Sequence, residues 1–263
     1  MDNLVLALKL RRLAAWLDGK CEPDSLIRKQ FHGAPFGDCY LTIDPQRQAP
    51  YATANLNRAY LCGTETGMDF DSIARLIDLF TDHGVKRFFV WLSPGPNMEV
   101  VRRWLEGSGL KRIRRTGYPT LCREQGSSPL QFTTDLEIRE VNADDINAAR
   151  GDLGETLWPV YARSAGKEGF FHYMAFDGSR PVAIAALCVF EDLGYLMAAA
   201  TAESHRRRGA QQALIAKRVE RAEQIGCPVL VSETLYMLEH SYRNLQRAGF
   251  AEVYEKEIYE WNG

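Results

Sequence analysis

No stretch of the chain approaches the ~18 consecutive apolar residues that a membrane-crossing helix requires, so no membrane partner is expected. The six cysteines, Cys21, Cys39, Cys62, Cys122, Cys188 and Cys227, form no Cys-x-x-Cys pair and have no histidine at ligand spacing. That scatter argues against a disulfide framework and against a metal site, and it fits reduced thiols in a cytoplasmic protein. Charge of one sign is missing too: 32 Lys and Arg stand against 34 Asp and Glu, a net charge of −2, so no nucleic-acid partner is expected from global electrostatics. There is no Gly-x-Ser-x-Gly, which removes the simplest hydrolase, and no Gly-x-Gly-x-x-Gly after a strand. Gly166-Lys167 is followed by Glu168 rather than Ser or Thr, so a phosphate-binding loop of the triphosphatase type is not supported. Residues 1–17 are amphipathic and carry Lys9, Arg11 and Arg12, with no continuous apolar core and no cleavage site, so a signal peptide is not expected.

What is present is an ordinary globular composition, 46% hydrophobic and 25% charged over 263 residues, enough for one large or two ordinary domains. In the second half, residues 143–165 read as helix split by Gly151, Gly154 and Pro159. Strand-like runs at 170–176 and 181–190 flank Asp177-Gly178-Ser179-Arg180, a hairpin signal, and a third run spans 195–201. A helix over 212–225 puts Ile215, Val219, Ala222 and Ile225 on one face, with Lys217, Glu220 and Glu223 facing outward. Gly226 stops it, and 227–232 reads as a short buried strand parallel to the run at 195–201 by the crossover rule. A last helix over 239–248 ends at Gly249, and 250–261 alternates as one or two terminal strands.

The turn between the third strand and the long helix is Arg206-Arg207-Arg208-Gly209-Ala210-Gln211. A chain that passes through a glycine into a helix leaves backbone N–H groups aimed outward, and the helix dipole adds positive charge there. Three arginines exceed what a cap needs, since caps use Ser, Thr, Asp or Asn. The ligand this turn suits is a diphosphate or larger.

The first half repeats the pattern. Gly109-Leu110-Lys111-Arg112-Ile113 falls over Gly249-Phe250-Ala251-Glu252-Val253, with Arg103 over Arg243 and Leu105 over Leu245. With a small shift, Gly67 falls on Gly209 and Ile73 and Ala74 on Ile215 and Ala216. Two segments in the same order point to two copies of one fold. In the first copy, Thr64, Glu65 and Thr66 stand where the arginines do, and Asp69 and Asp71 follow. Carboxylates there satisfy the dipole themselves and repel a diphosphate, so the first copy is expected to be degenerate. The join falls at 124–129, where Gly126-Ser127-Ser128-Pro129 has linker composition.

These residues resemble the GNAT superfamily of N-acetyltransferases, whose loop reads Arg or Gln, two residues, Gly, one residue, then Gly or Ala. Gln211 stands in place of that last small residue. The resemblance covers 136–261, through Asn244-Leu245-Gln246-Arg247-Ala248-Gly249-Phe250, and the repeat extends it to a tandem. It implies an α/β (α+β) chain of two GNAT-like domains, each a mixed, mostly antiparallel sheet flanked by helices: residues 1–125 degenerate, residues 135–263 binding acetyl-CoA. It implies that the diphosphate lies on Arg206, Arg207, Arg208, Gly209, Ala210, Gln211 and Gln212, and that the amide groups of the pantetheine arm pair with Ala199, Ala200 and Thr201, with Asn244 and Ser241 near that arm. The implied reaction is direct acetyl transfer from acetyl-CoA to the primary amine of a small molecule, without a metal, in a monomer or homodimer. The tyrosine that commonly serves as acid in the family is Leu245 here, so Tyr242, one helical turn earlier, is the candidate acid. Glu233 and Glu203 are candidate bases. Trp158, Tyr161 and Phe170 either wall an acceptor cleft near 156–167 or belong to the core. His172, His205 and His240 read as core or surface histidines. A CoA-binding or sensing protein without turnover is the alternative.

Overall fold

The computed structural model describes residues 2–62, 67–113, 117–126, 130, 132–149, 153 and 158–263. It divides into two compact units, Met1–Pro119 with Tyr254–Gly263, and Thr120–Val253.

The first unit opens with α1 (Asn3–Cys21), capped by Asp2, whose carboxylate accepts from the Leu4 and Val5 N–H groups. Strands β1 (Ile27–Phe31), β2 (Cys39–Ile43) and β3 (Arg58–Leu61) follow in antiparallel order. Helix α2 (Phe70–Thr81) carries the chain to β4 (Phe88–Leu92), which lies parallel to β3. After α3 (Met98–Gly107) comes the short β5 (Lys111–Arg112). The sheet is completed by the end of β12 (Ala251–Trp261), antiparallel to β4 with Glu257 facing Leu92 and Trp261 facing Phe88. All five β4 residues are buried, in a run of Phe, Val, Trp and Leu that suits a strand covered on both sides.

The second unit begins within β6 (Tyr118–Glu124) and continues through β7 (Glu137–Val141), α4 (Ala143–Ala148) and α5 (Trp158–Arg163). Then come β8 (Phe170–Asp177), β9 (Arg180–Phe190), β10 (Leu193–Thr201), α6 (Ala210–Ile225), β11 (Val229–Glu233) and α7 (Glu239–Arg247). Its sheet runs β7-β8-β9-β10-β11-β6, and only β10 and β11 are parallel. Helices α6 and α7 pack on one face around Leu196, Leu230 and Leu245, while α4 and α5 cover the other around Met174, Ile184 and Tyr161. Ile225, expected on the packed face of α6, is exposed in its last turn, and Arg218 is buried instead.

Both units therefore show an antiparallel meander, a helical crossover to a parallel strand, a second helix and a final antiparallel strand. Thr120–Glu124 closes the second sheet against β11 in the register with which residues 257–261 close the first against β4. From sequence, each half keeps its own terminal strand; in the structure the two strands are exchanged. Both follow a helix that ends at a left-handed glycine, Gly109 at φ +88° and Gly249 at φ +76°. Matching local endings cannot tell the strands which sheet to join, because ladder bonds run through backbone that every residue carries.

None of the six cysteines forms a disulfide, and five of them are buried. Among the described residues no group of three His, Cys, Asp or Glu is placed to hold a metal, and no helix is long and apolar enough to cross a membrane.

Candidate functional site

The loop between β10 and α6 is held from below. Gly209 has φ +80° and serves as N-cap of α6; a Cβ there would collide with the Thr133 carbonyl oxygen. Arg207 is also left-handed, at φ +66°. The Thr134 hydroxyl donates to the Arg208 carbonyl at 2.7 Å. The Arg208 guanidinium is gripped by Asp135 and, at 2.6 Å, by Asp177, which also meets His205 Nε2 at 3.2 Å. Those carboxylates push Arg208 up, and Arg208 holds both carboxyls below their usual range. Arg208 is thus a clamp on the base of the loop, whereas Arg206 and Arg207 are exposed, Arg206 within 3.6 Å of Glu203. Gly209 provides no side-chain cap, and among the described residues no other side chain is seen to accept from the leading N–H groups of α6. Two left-handed residues, Arg207 and Gly209, flank Arg208 ahead of the helix, and an alternation of this kind forms a concave nest of donors.

Gln211, the departure from a small residue, does not block that nest. Its Nε2 donates to Thr201 Oγ1 at 2.8 Å, tying the first turn of α6 to the end of β10.

Beside the nest, β10 parts from β11. Their pairing runs from Leu193–Val229 to Leu196–Ser232 and stops. On the other edge, Met197 faces Ala186 but Ala200 faces Ile184, so β10 carries one extra residue, and Ala198 sits at φ +49°. This bulge turns the outer half of β10, with Ala199, Ala200 and Thr201, away from β11. The wedge that opens has strand backbone on one side and the α6 nest at its end.

Glu233, the last residue of β11, directly follows Ser232, where the pairing with β10 stops. Thr120 Oγ1 donates to its Oε1 at 2.9 Å and Tyr195 Oη to its Oε2 at 3.0 Å. Cys122 lies nearby; burial first, then the Glu233 charge, pushes its thiol up to about 12, which keeps it protonated and unreactive. Thr120 and Tyr195 escaped the sequence reading, because partnership of three residues on three strands depends on register rather than spacing.

Tyr242 is half-buried on α7 and donates to Glu252 at 2.7 Å, a bond that raises its pKa; Tyr236 donates to the same carboxylate at 2.5 Å. Leu245 is buried in the core beneath α6. Asn244 and Ser241 are half-buried, Glu203 and His240 exposed. No described contact joins Tyr242 to Glu233. Tyr161 is fully buried, donates to the Tyr173 carbonyl and packs in the core beneath α4 and α5; Phe170 is buried as well, and Trp158 is half-buried. Thr156 lies outside the described residues.

The corresponding helix start in the first unit is occupied. Gly67 is left-handed at φ +88°, yet α2 begins only at Phe70, behind Asp69. Asp69 accepts from the Ser72 N–H at 2.9 Å and the Ser72 hydroxyl donates back to Asp69, and Asp71 adds charge in the first turn. Thr64, Glu65 and Thr66, like Ser127–Pro129 of the join, lie outside the described residues.

The second unit thus combines a parallel strand pair that parts at a bulge with a helix start at the split. Residues 137–250 match the acetyltransferase (GNAT) family model, and this stretch is a GNAT domain. Solved structures extend the likeness of fold to nearly the whole chain. A GCN5-related N-acetyltransferase from Kribbella flavida superposes with a TM-score of 0.66 at 16% identity, covering 99% of this chain and 96% of its own. A tandem GNAT protein from the clavulanic acid biosynthesis pathway gives 0.59 at 8% identity, covering 98% and 94%. A GCN5-related N-acetyltransferase from Sphaerobacter thermophilus gives 0.58 at 12% identity, covering 98% and 92%. At such identities the likeness is one of fold. No curated protein sequence matches the chain.

Proposed function

We propose that the second unit transfers an acetyl group from acetyl-CoA to the primary amine of a small molecule, and that the first unit is a degenerate copy that does not bind the coenzyme. The observation that carries this is the α6 start: uncapped, preceded by Arg207 and Gly209 in left-handed conformations, and placed where β10 leaves β11. The coenzyme diphosphate would rest on the N–H groups of residues 209–212, with Arg206 and Arg207 adding charge. Its amide-bearing arm would pair with the edge of Ala199–Thr201. In the first unit Asp69 already takes the equivalent place.

The reaction needs no covalent enzyme intermediate. The neutral amine attacks the thioester carbonyl carbon, the carbon–sulfur bond breaks, and coenzyme A leaves as a thiolate. Glu233, directly or through one water, takes the amine proton. The Thr120 and Tyr195 hydroxyls orient that carboxylate. Tyr242 is the proposed donor to the thiolate; its hydroxyl must leave Glu252 to do so. That engagement, with Leu245 in the core, is what favours the second reading, a CoA-binding sensor without turnover.

Calorimetric titration with CoA, followed by thiol release from acetyl-CoA across a panel of small primary amines, tests both. Binding and amine-dependent release are expected. Binding with no release from any amine favours the sensor, and the absence of binding refutes the site.

A further inference from the structure

Arg218, in the middle of α6, is 2% exposed, and among the described residues its acceptors are all main-chain carbonyls. Nε donates to Leu214 one turn back at 3.0 Å, and Nη1 donates to Ala186 at 3.3 Å and Met197 at 3.4 Å. Ala186 and Met197 face each other on the last regular rung of the β9–β10 ladder before the extra residue of the bulge. A buried cation without a carboxylate is costly, and burial draws this one down to about 9, so it remains charged at neutral pH. A neutral apolar side chain of that length would pack on the same face without the penalty. Its donors meet carbonyls of both strands on the last rung before the ladder loses register.

We propose that Arg218 is a positioning residue for the coenzyme arm: its guanidinium bridges β9 and β10 at the bulge and holds the outer half of β10 in the course that presents Ala199–Thr201 to the arm. This rests on the reading of the wedge as the coenzyme site. Arg218 touches no reacting atom, and its charge acts through strand geometry. Replacement leaves the α6 start intact, because Gly209 and the Arg208 clamp lie two turns away.

The test compares two ligands on the full chain: acetyl-CoA, and adenosine 3′-phosphate 5′-diphosphate, which keeps the phosphates but lacks the arm. Arg218→Met should weaken acetyl-CoA at least about tenfold and the fragment less than about twofold, with Arg218→Lys, which keeps charge but cannot fork, in between. Equal weakening of both ligands, or of neither, overturns the proposal. Should Arg218→Met fail to fold, Arg218→Lys and Arg218→Gln carry the same comparison. Hydrogen exchange at the Met197–Thr201 amides separates this idea from the coenzyme reading: even if the parent binds neither ligand, faster exchange there in the variants supports the Arg218 role, and unchanged exchange refutes it.

Discussion

Lowering the pH should destabilise the second unit through His172. The ring sits on β8, 3% exposed, with Nε2 2.9 Å from Ser164 Oγ and 3.1 Å from the Tyr161 carbonyl, and the Tyr161 ring edge-on at 4.8 Å. Burial pulls its pKa from 6.5 to about 4, against a smaller opposing effect of the Tyr161 carbonyl. Between those values the unfolded chain binds a proton that the folded chain refuses, so stability falls as the pH falls and is level above 6.5. Each pH unit crossed costs about 1.4 kcal/mol, hence about 2 kcal/mol by pH 5 and about 3 by pH 4. Urea unfolding followed by circular dichroism at pH 7, 6 and 5, in the parent and in His172→Gln, isolates the effect from carboxylates that titrate in both. The parent should lose about 2 kcal/mol more than the variant between pH 7 and pH 5. Identical pH dependences would refute the reasoning, because a histidine with solvent access in the folded state has no such penalty.

Gly209→Ala should reduce CoA affinity at least about tenfold and cost about 1–3 kcal/mol of stability, since a Cβ meets the Thr133 carbonyl at a left-handed position; unchanged calorimetric affinity counts against the nest. Glu233→Gln should slow thiol release by about 10²–10⁴ while leaving CoA binding intact, and equal rates exclude it as the base. Tyr259→Ala removes a fully buried ring of β12 from the first unit and should cost about 3–5 kcal/mol, read as earlier urea unfolding and faster exchange at the Phe88–Leu92 amides; a loss below about 1 kcal/mol would mean β12 does not complete that sheet.

Much of the second unit can be derived from sequence because its signals are local. The hairpin at Asp177–Arg180, the glycine that closes α6 at φ +90° and the crossover to β11 each depend on residues within one or two turns. The loop is readable for the same reason, since glycine before an uncapped helix is a backbone signal. What escaped is non-local. The role of Arg208 depends on Asp135, far off in sequence, and the support of Glu233 depends on Thr120, further still. Arg218 looks like one more charged position on an amphipathic helix, and only the bulge opposite explains why a cation is buried there. The exchange of terminal strands is the extreme case: Leu121 and Ile258 are apolar residues of alternating strands, and nothing in that pattern names the sheet they enter.

The two helix starts show how one backbone plan yields opposite chemistry. Each follows the middle strand of its sheet and crosses to a parallel neighbour, and each approaches through a left-handed glycine, Gly67 or Gly209. In both, the first turn offers N–H groups that need acceptors. In α2 the chain itself supplies an acceptor, Asp69, which takes the Ser72 N–H, so an incoming phosphate meets a carboxylate already seated at the helix start. In α6 the helix starts directly behind Gly209, which has no side chain to cap it, and the nearby side chains turn elsewhere, Gln211 to Thr201 and Arg208 to Asp135 and Asp177, so among the described residues no side chain takes the first N–H groups. Competition for the same few N–H groups therefore separates the copies, and a carboxylate placed at Gly209 by Gly209→Asp should turn the second start into a likeness of the first. That variant should lose CoA binding more completely than Gly209→Ala, because repulsion adds to the steric loss; equal affinities for the two variants would show that shape alone, and not possession of the donors, decides binding.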